Sequence, residues 1–174
     1  MPSISLCSFL KVLSQGTPQK TTEYAKYLTP GGYDFYWRLK DAAFSMTVGG
    51  QAFDQCVQPL NGIKPPHGSC SSPKGHLTIK LVPEFGLVDA GTRQLVHLWN
   101  SKQPDLKPAI AGVGIYLMQQ HLCIDEFADC ACVILDLRKR RILSVAATAP
   151  QTPSMVSSEF AWIDNFFEQA SKAA

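Results

Sequence analysis

The spacing of apolar residues predicts helices in the first third of the chain. Apolar positions recur about every 3.6 residues over residues 33–48 and again over residues 52–60, which is typical of helices with one buried face. Residues 1–20 end in a stretch of Ser, Gly, Thr and Pro and predict a loosely attached N-terminal arm. We therefore expect an arm followed by a helical layer over residues 21–62.

Short apolar runs separated by turn residues predict strands in the middle of the chain. A stretch rich in Pro, Gly and Ser over residues 64–74 predicts a connecting loop before them. Residues 76–82, 85–88 and 95–99 then predict three short strands joined by tight turns. This pattern indicates an antiparallel meander.

The last third of the chain predicts a helix, a hairpin and a second helix. Residues 108–121 have helical spacing, although two glycines interrupt it and would need a reason such as close packing on a sheet. Residues 130–137 and 142–146 predict a β-hairpin. Residues 157–173 carry the apolar stripe of a C-terminal helix.

This order of elements predicts an α+β or mixed α/β fold. We expect a central mixed sheet of about five strands, with N-terminal helices, a crossover helix and a C-terminal helix packed on it. The chain has 174 residues, a usual length for one domain. We therefore expect a single globular domain over residues 21–174, with its sheet-containing core over residues 76–147.

Composition excludes several classes of protein. The chain is 45% hydrophobic, and its 16 Lys and Arg nearly balance its 14 Asp and Glu, so disorder and a strong field towards DNA or anionic lipid are not expected. No apolar stretch reaches the roughly 18 residues that a membrane span needs. Six cysteines in a chain this large and apolar predict reduced thiols and a cytoplasmic location.

Polar residues stand at the ends of two of the predicted strands. Asp89 follows the second strand of the meander, and Asn100 and Lys102 follow the third. This spacing, within the order helix, three strands, helix, strand, resembles the restriction-endonuclease-like PD-(D/E)XK nucleases over residues 76–137. In that group an acid on the second strand and an acid-x-Lys pair on the third hold a divalent metal and orient a water.

The resemblance implies a metal-dependent phosphodiesterase in which Asp89 binds Mg²⁺ and Lys102 stabilises developing charge. The chain departs from the pattern at Asn100, because a neutral amide stands where the second carboxylate belongs. Glu84 or Glu23 would have to supply that charge. The alternatives are a non-catalytic relic of the nuclease fold, or a turn that begins at Asp89 and a solvated strand end at Lys102.

Two further groups predict contact surfaces. The first group consists of the basic residues of the predicted hairpin turn, Arg138, Lys139, Arg140 and Arg141. One interpretation is that they bind phosphates of nucleic acid. The alternative is that they keep the turn in solvent and protect a sheet edge. The second group consists of four aromatic residues in five positions, Tyr33, Phe35, Tyr36 and Trp37. They cannot all face one core, so this cluster predicts a surface for self-association or for a protein partner. The alternative is that the cluster packs on the C-terminal helix.

The chain contains residue types that bind zinc, but their spacing is not that of a standard zinc motif. His121 and Cys123 precede Cys130 and Cys132, yet this is not a standard Cys-x₂-Cys pattern. Cys130 and Cys132 also fall in a predicted strand, where cysteine is a common small core residue. We therefore expect no metal at these cysteines.

Two classes of function follow. The first is a non-catalytic cytoplasmic binding or regulatory domain without a cofactor, which uses the aromatic cluster and the basic turn as contact surfaces. The alternative is a nuclease-like phosphodiesterase with Mg²⁺ and an incomplete acidic site. The enzyme requires Asp89, a second carboxylate and Lys102 within about 6 Å of one another, whereas the binding domain requires only an exposed apolar patch.

Overall fold

The computed structural model has an α+β fold, which confirms the predicted class. It describes residues 3–14, 47–48, 51–52, 58–59, 64–89, 91–101 and 103–173. The helices in these ranges are α1 (Leu6–Leu13), α2 (Pro108–Leu122) and α3 (Thr152–Ala173). None of them is long and apolar enough to cross a membrane.

The strands of the described ranges belong to three sheets. A central five-stranded sheet has the order β10-β9-β8-β7-β4, a smaller sheet has the order β1-β6-β5, and β2 pairs with β3. The strands are β1 (Ser3–Ser5), β2 (Thr47–Val48), β3 (Gln51–Ala52), β4 (Gln58–Pro59), β5 (Gly68–Ser71), β6 (Thr78–Leu81), β7 (Phe85–Asp89), β8 (Thr92–Trp99), β9 (Ala131–Asp136) and β10 (Arg141–Leu143).

The central sheet is mixed, as the sequence predicts. Strands β7 and β8 form an antiparallel hairpin, and so do β9 and β10. Strands β8 and β9 pair in parallel, so the chain between them must cross over the sheet, and α2 makes that crossover. The predicted helix over residues 108–121, the second hairpin and the C-terminal helix are confirmed. Strand β10 ends earlier than predicted, at Leu143, and a 3₁₀ turn over Val145–Ala147 follows it. Helix α3 begins five residues earlier than predicted, at Thr152.

The predicted three-stranded meander is wrong in its first strand. Strand β6 does not pair with β7, because its two neighbours are β1, in parallel, and β5, in antiparallel orientation. Strand β5 lies within residues 64–74, which the sequence predicts as a loop. Nothing local identifies this pairing, since β1 comes from the N-terminal end of the chain.

Residues 3–14 are not the loosely attached arm that their composition predicts. Ser5 caps α1, where its Oγ accepts a hydrogen bond from the N–H of Ser8 at 3.1 Å. The side chains of Phe9 and Leu10 are fully buried. This segment therefore contributes both a strand and part of the main core.

Strands also replace parts of the predicted N-terminal helices. Thr47–Val48 and Gln51–Ala52 form the short ladder β2–β3, and Gln58–Pro59 pairs with β7 at the edge of the central sheet. The helices predicted over residues 33–48 and 52–60 are wrong at these positions, and their other residues lie outside the described ranges. Thr and Val are β-branched and favour strands over helices.

Apolar side chains cover both faces of the central sheet. The larger cluster joins α1, α2 and α3 to one face and includes Leu95, Trp99 and Ile134. The smaller cluster lies on the opposite face, and its members are between 2 and 7% exposed: Leu87, Val96, Val133, Leu135 and Leu137. The alternation of these residues along β8 and β9 follows the period of two expected for strands.

The glycines of α2 allow close packing, and Gly112→Ala should lower the free energy of unfolding by about 2 kcal/mol. A Cβ at Gly112 would overlap the carbonyl of Ala147 and lie 3.1 Å from the Cα of Thr148. These are backbone atoms, so they cannot rotate away. The loss remains although alanine favours a helix by about 1 kcal/mol. Urea denaturation measures it.

Gly114→Ala is the matched control. A Cβ there would lie 2.9 Å from Leu10 Cδ1 and 3.0 Å from Ile134 Cδ1, which are side-chain ends that can shift. We expect a smaller loss than for Gly112→Ala. Equal losses, or a gain for Gly112→Ala, would contradict the role given to the Ala147 carbonyl.

Candidate functional site

The strand register separates the residues of the nuclease-like pattern. Asp89 pairs with Thr92 at the start of β8, whereas Asn100 follows Trp99 at its end. Eight residues of strand at about 3.3 Å each span about 26 Å. Asp89 and Asn100 therefore lie too far apart to share a metal ion. Lys102 lies outside the described residues.

Glu84 lies at the opposite end of β7 from Asp89, and its carboxylate is bonded within the hairpin. Its Oε2 accepts a hydrogen bond from the N–H of Leu98 at 2.8 Å and lies 3.1 Å from Nδ1 of His97. His97 is 2% exposed, and strand alternation places it on the same face as Leu95 and Trp99. Glu84 thus does not supply Asp89 with the missing second carboxylate.

No other acid of the described ranges completes that set. Glu23 lies outside the described ranges, as do Tyr33, Phe35, Tyr36 and Trp37, so the aromatic contact surface stays a prediction. Within the part of the chain that the structure describes, no three His, Cys, Asp or Glu side chains converge as metal ligands.

The basic turn between β9 and β10 is partly neutralised. Lys139 Nζ lies 2.8 Å from Oδ2 of Asp105, and this ammonium group lowers the pKa of the Asp105 carboxyl. Arg141 Nε lies 3.1 Å from Oδ2 of Asp136, which is almost fully buried. Two of the four basic side chains therefore already have acidic partners.

The other two basic residues stand beside exposed apolar side chains. Arg138 and Arg140 are exposed, while Ile142 and Val145 are 46% and 50% exposed. We call Arg138, Arg140, Ile142 and Val145 the edge surface, because β10 is the outermost strand of the central sheet in the described ranges. Ile142 is the cross-strand neighbour of Leu135, so it extends the smaller apolar cluster to the rim of the sheet.

Two cysteines from different elements meet beyond the end of α2. Cys123 follows the last turn of α2, and its Sγ lies 3.3 Å from Sγ of Cys132 in β9. The Cys123 thiol also lies 3.3 Å from the carbonyl oxygen of Cys130, to which it can donate a hydrogen bond. All the cysteines of the described ranges are free thiols.

The two thiols of this pair differ in acidity and access. The hydrogen bond from Cys132 lowers the pKa of Cys123, which is half-buried. The same bond, together with full burial, raises the pKa of Cys132. The spacing of Cys123 and Cys132 in the sequence does not predict this contact, because the contact depends on where α2 ends relative to β9.

Comparisons with known proteins provide no relative for this chain. No protein-family model, no curated protein and no solved structure matches it. Of the features described above, the edge surface is the one that combines exposed apolar side chains with cations that have no acidic partner in the described ranges.

Proposed function

We propose that this chain is a non-catalytic cytoplasmic binding domain whose edge surface binds an extended acidic segment of a protein partner. The observation that carries the proposal is the combination of exposed Ile142 and Val145 with exposed Arg138 and Arg140 around β10. An added strand would form main-chain hydrogen bonds with the edge of the sheet. Acidic side chains of that strand would meet the two arginines.

The chemistry of the edge surface favours an acidic peptide over nucleic acid. A phosphate backbone would satisfy Arg138 and Arg140 but offers nothing apolar to Ile142 or Val145. No aromatic side chain lies among residues 138–146 to stack on bases. A peptide in which acidic and apolar residues alternate would offer carboxylates to the two arginines and apolar side chains to Ile142 and Val145.

The nuclease-like alternative has less support. It requires two carboxylates beside one lysine, whereas Asp89 at the end of β7 pairs with the start of β8 and Asn100 follows the other end of β8. Mg²⁺ therefore has no role in the proposed function.

The first test measures binding of a short labelled peptide in which Glu and Val alternate. We expect saturable binding by fluorescence anisotropy, which weakens with salt because the arginines contribute. The double variant Arg138→Glu/Arg140→Glu should bind at least about tenfold more weakly, equivalent to about 1.4 kcal/mol. Ile142→Thr, which keeps β-branching but adds a hydroxyl, should weaken binding without abolishing the salt dependence.

Matched controls separate the edge surface from net charge. Lys64→Glu/Lys172→Glu makes the same change in charge at two exposed lysines outside the edge surface and should bind like the wild type. A peptide of alternating Lys and Val should not bind. Equal binding of both peptides, equal losses in both double variants, or stronger binding of single-stranded DNA than of the Glu-Val peptide would overturn the proposal.

A further inference from the structure

Cys123 and Cys132 form a close pair of free thiols. The two Sγ atoms lie 3.3 Å apart, about 1.3 Å more than the length of a disulfide bond. Small side-chain rotations can close such a gap. The pair also joins two elements that carry part of the core, α2 and β9.

We propose that Cys123 and Cys132 form a modification site that a low-molecular-weight disulfide of the glutathione type converts to an intramolecular disulfide. Cys123 is the entry point, because it is half-buried and the more exposed of the two cysteines. Cys132 is fully buried and is the resolving thiol. Neither cysteine belongs to the edge surface.

The reaction proceeds in two thiol–disulfide exchanges. The Cys123 thiolate attacks one sulfur of the small disulfide RSSR, a new S–S bond forms, and RS⁻ leaves with the electron pair. Cys132 then loses its proton to the released thiolate, and its sulfur attacks Sγ of Cys123 and expels the second RS⁻, which takes a proton from solvent. In sum, two protein thiols are oxidised and one RSSR is reduced to two RSH.

The surroundings of Cys123 favour its role as the attacking thiol. The bond from Cys132 lowers the pKa of Cys123, while its partial burial and, to a smaller extent, the carboxylate of Asp129 oppose that shift. Arg93 reaches over this loop, where its Nη1 lies 2.6 Å from Oδ1 of Asp129 and donates to the carbonyl of Glu126 at 2.9 Å. Arg93 thereby neutralises Asp129 and holds the loop that connects the two cysteines.

Oxidation would close a loop that is already ordered. The residues between the two cysteines include the 3₁₀ turn Asp125–Phe127, and Phe127 is buried beneath Arg93, whose guanidinium carbon lies 5.9 Å from the ring centre. A bond across this loop constrains the unfolded chain more than the folded one. The oxidised protein should therefore be more stable than the reduced protein.

The test treats the reduced full-length protein with oxidised glutathione and follows its mass. We expect the loss of two hydrogens and no retained glutathione. Trypsin releases residues 103–138 as one peptide, because Pro108 follows Lys107, and this peptide contains Cys123, Cys130 and Cys132. Fragmentation after alkylation should leave Cys130 as the only alkylated cysteine of the three.

Three variants distinguish the roles of the cysteines. Cys130→Ala keeps the pair and should oxidise like the wild type. Cys132→Ala should stop after the first exchange and retain one glutathione on Cys123, while Cys123→Ala should react at least about tenfold more slowly, because its remaining described thiols are buried. In Cys132→Ala the pKa of Cys123 should rise, since the stabilising hydrogen bond is lost, and alkylation at neutral pH should slow.

Two results would overturn this assignment. The first is a wild-type protein that keeps all its thiols, or keeps glutathione, after oxidation has reached equilibrium. The second is a disulfide that links any other pair of cysteines. Because the wild type is measured first, a variant that fails to fold does not affect either result.

Discussion

Phe9→Ala is expected to lower the free energy of unfolding by about 4 kcal/mol, a loss typical of deleting a buried aromatic side chain. Phe9 is fully buried in α1, and its ring centre lies 6.1 Å from that of Phe160 in α3. The substitution removes this contact and leaves a cavity between the two helices. Chemical denaturation of the full chain, monitored by tryptophan fluorescence, measures the loss.

Lys11→Ala on the same helix is the control, because Lys11 is only half-buried. Its expected change is within about 0.5 kcal/mol of the wild type. The loss in free energy of unfolding for Phe9→Leu should lie between those for Phe9→Ala and Lys11→Ala, since leucine keeps most of the apolar volume. If Phe9→Ala and Lys11→Ala were equally mild, the N-terminal segment would be the loose arm that its composition indicates, and the packing of α1 would be wrong.

The elements that the sequence predicts well are those with strong local signals. The crossover helix, the β9–β10 hairpin and the C-terminal helix have periodic apolar residues and turn residues at their ends. The small sheet could not be predicted in this way. Its central strand β6 pairs with β1, more than 70 residues earlier, and no local pattern specifies a partner at that distance.

The candidate sites also depend on strand pairing that no local pattern specifies. The polar residues at the ends of the predicted strands suggested a metal centre, but the hairpin register decides which ends meet. Asp89 pairs with Thr92, so it lies at the turn end of the hairpin, and Asn100 lies at the other end. The sequence also identified the basic turn, but not that Asp105 and Asp136 neutralise two of its side chains.

The contact between Cys123 and Cys132 could not be predicted from the sequence either. Their residue type makes both of them candidate zinc ligands, but a zinc site needs four donors. Two thiols at 3.3 Å suit a disulfide rather than a tetrahedral metal site. This distinction depends on distances, which residue spacing across a helix end and a turn does not provide.

A second large loss of stability is expected from Asp164→Ala, which should cost about 3 kcal/mol. Asp164 lies in α3 and is 2% exposed. Its Oδ1 accepts a hydrogen bond from the hydroxyl of Ser72 at 2.5 Å, and its Oδ2 accepts one from the N–H of Lys74 at 2.9 Å. These two bonds join the C-terminal helix to the turn between β5 and β6.

The loss is large because removal of one carboxylate leaves two donors without an acceptor. The Ser72 hydroxyl is buried and itself accepts a hydrogen bond from the N–H of Leu77 at 3.2 Å. This hydroxyl cannot reach water unless Ser72 leaves the turn between β5 and β6. An unsatisfied buried donor costs more than the net gain of making the bond, and bonds to a charged acceptor are the stronger kind.

Two variants test whether the carboxylate itself is responsible. Asp164→Asn keeps one oxygen acceptor and nearly the same volume. It should therefore lower the free energy of unfolding by about half as much as Asp164→Ala does. Asn165→Ala changes the exposed neighbour on the same helix and should be nearly neutral. If Asp164→Asn were as stable as the wild type, volume and not hydrogen bonding would explain the loss. If Asp164→Ala were neutral, α3 would not be joined to the small sheet through this residue.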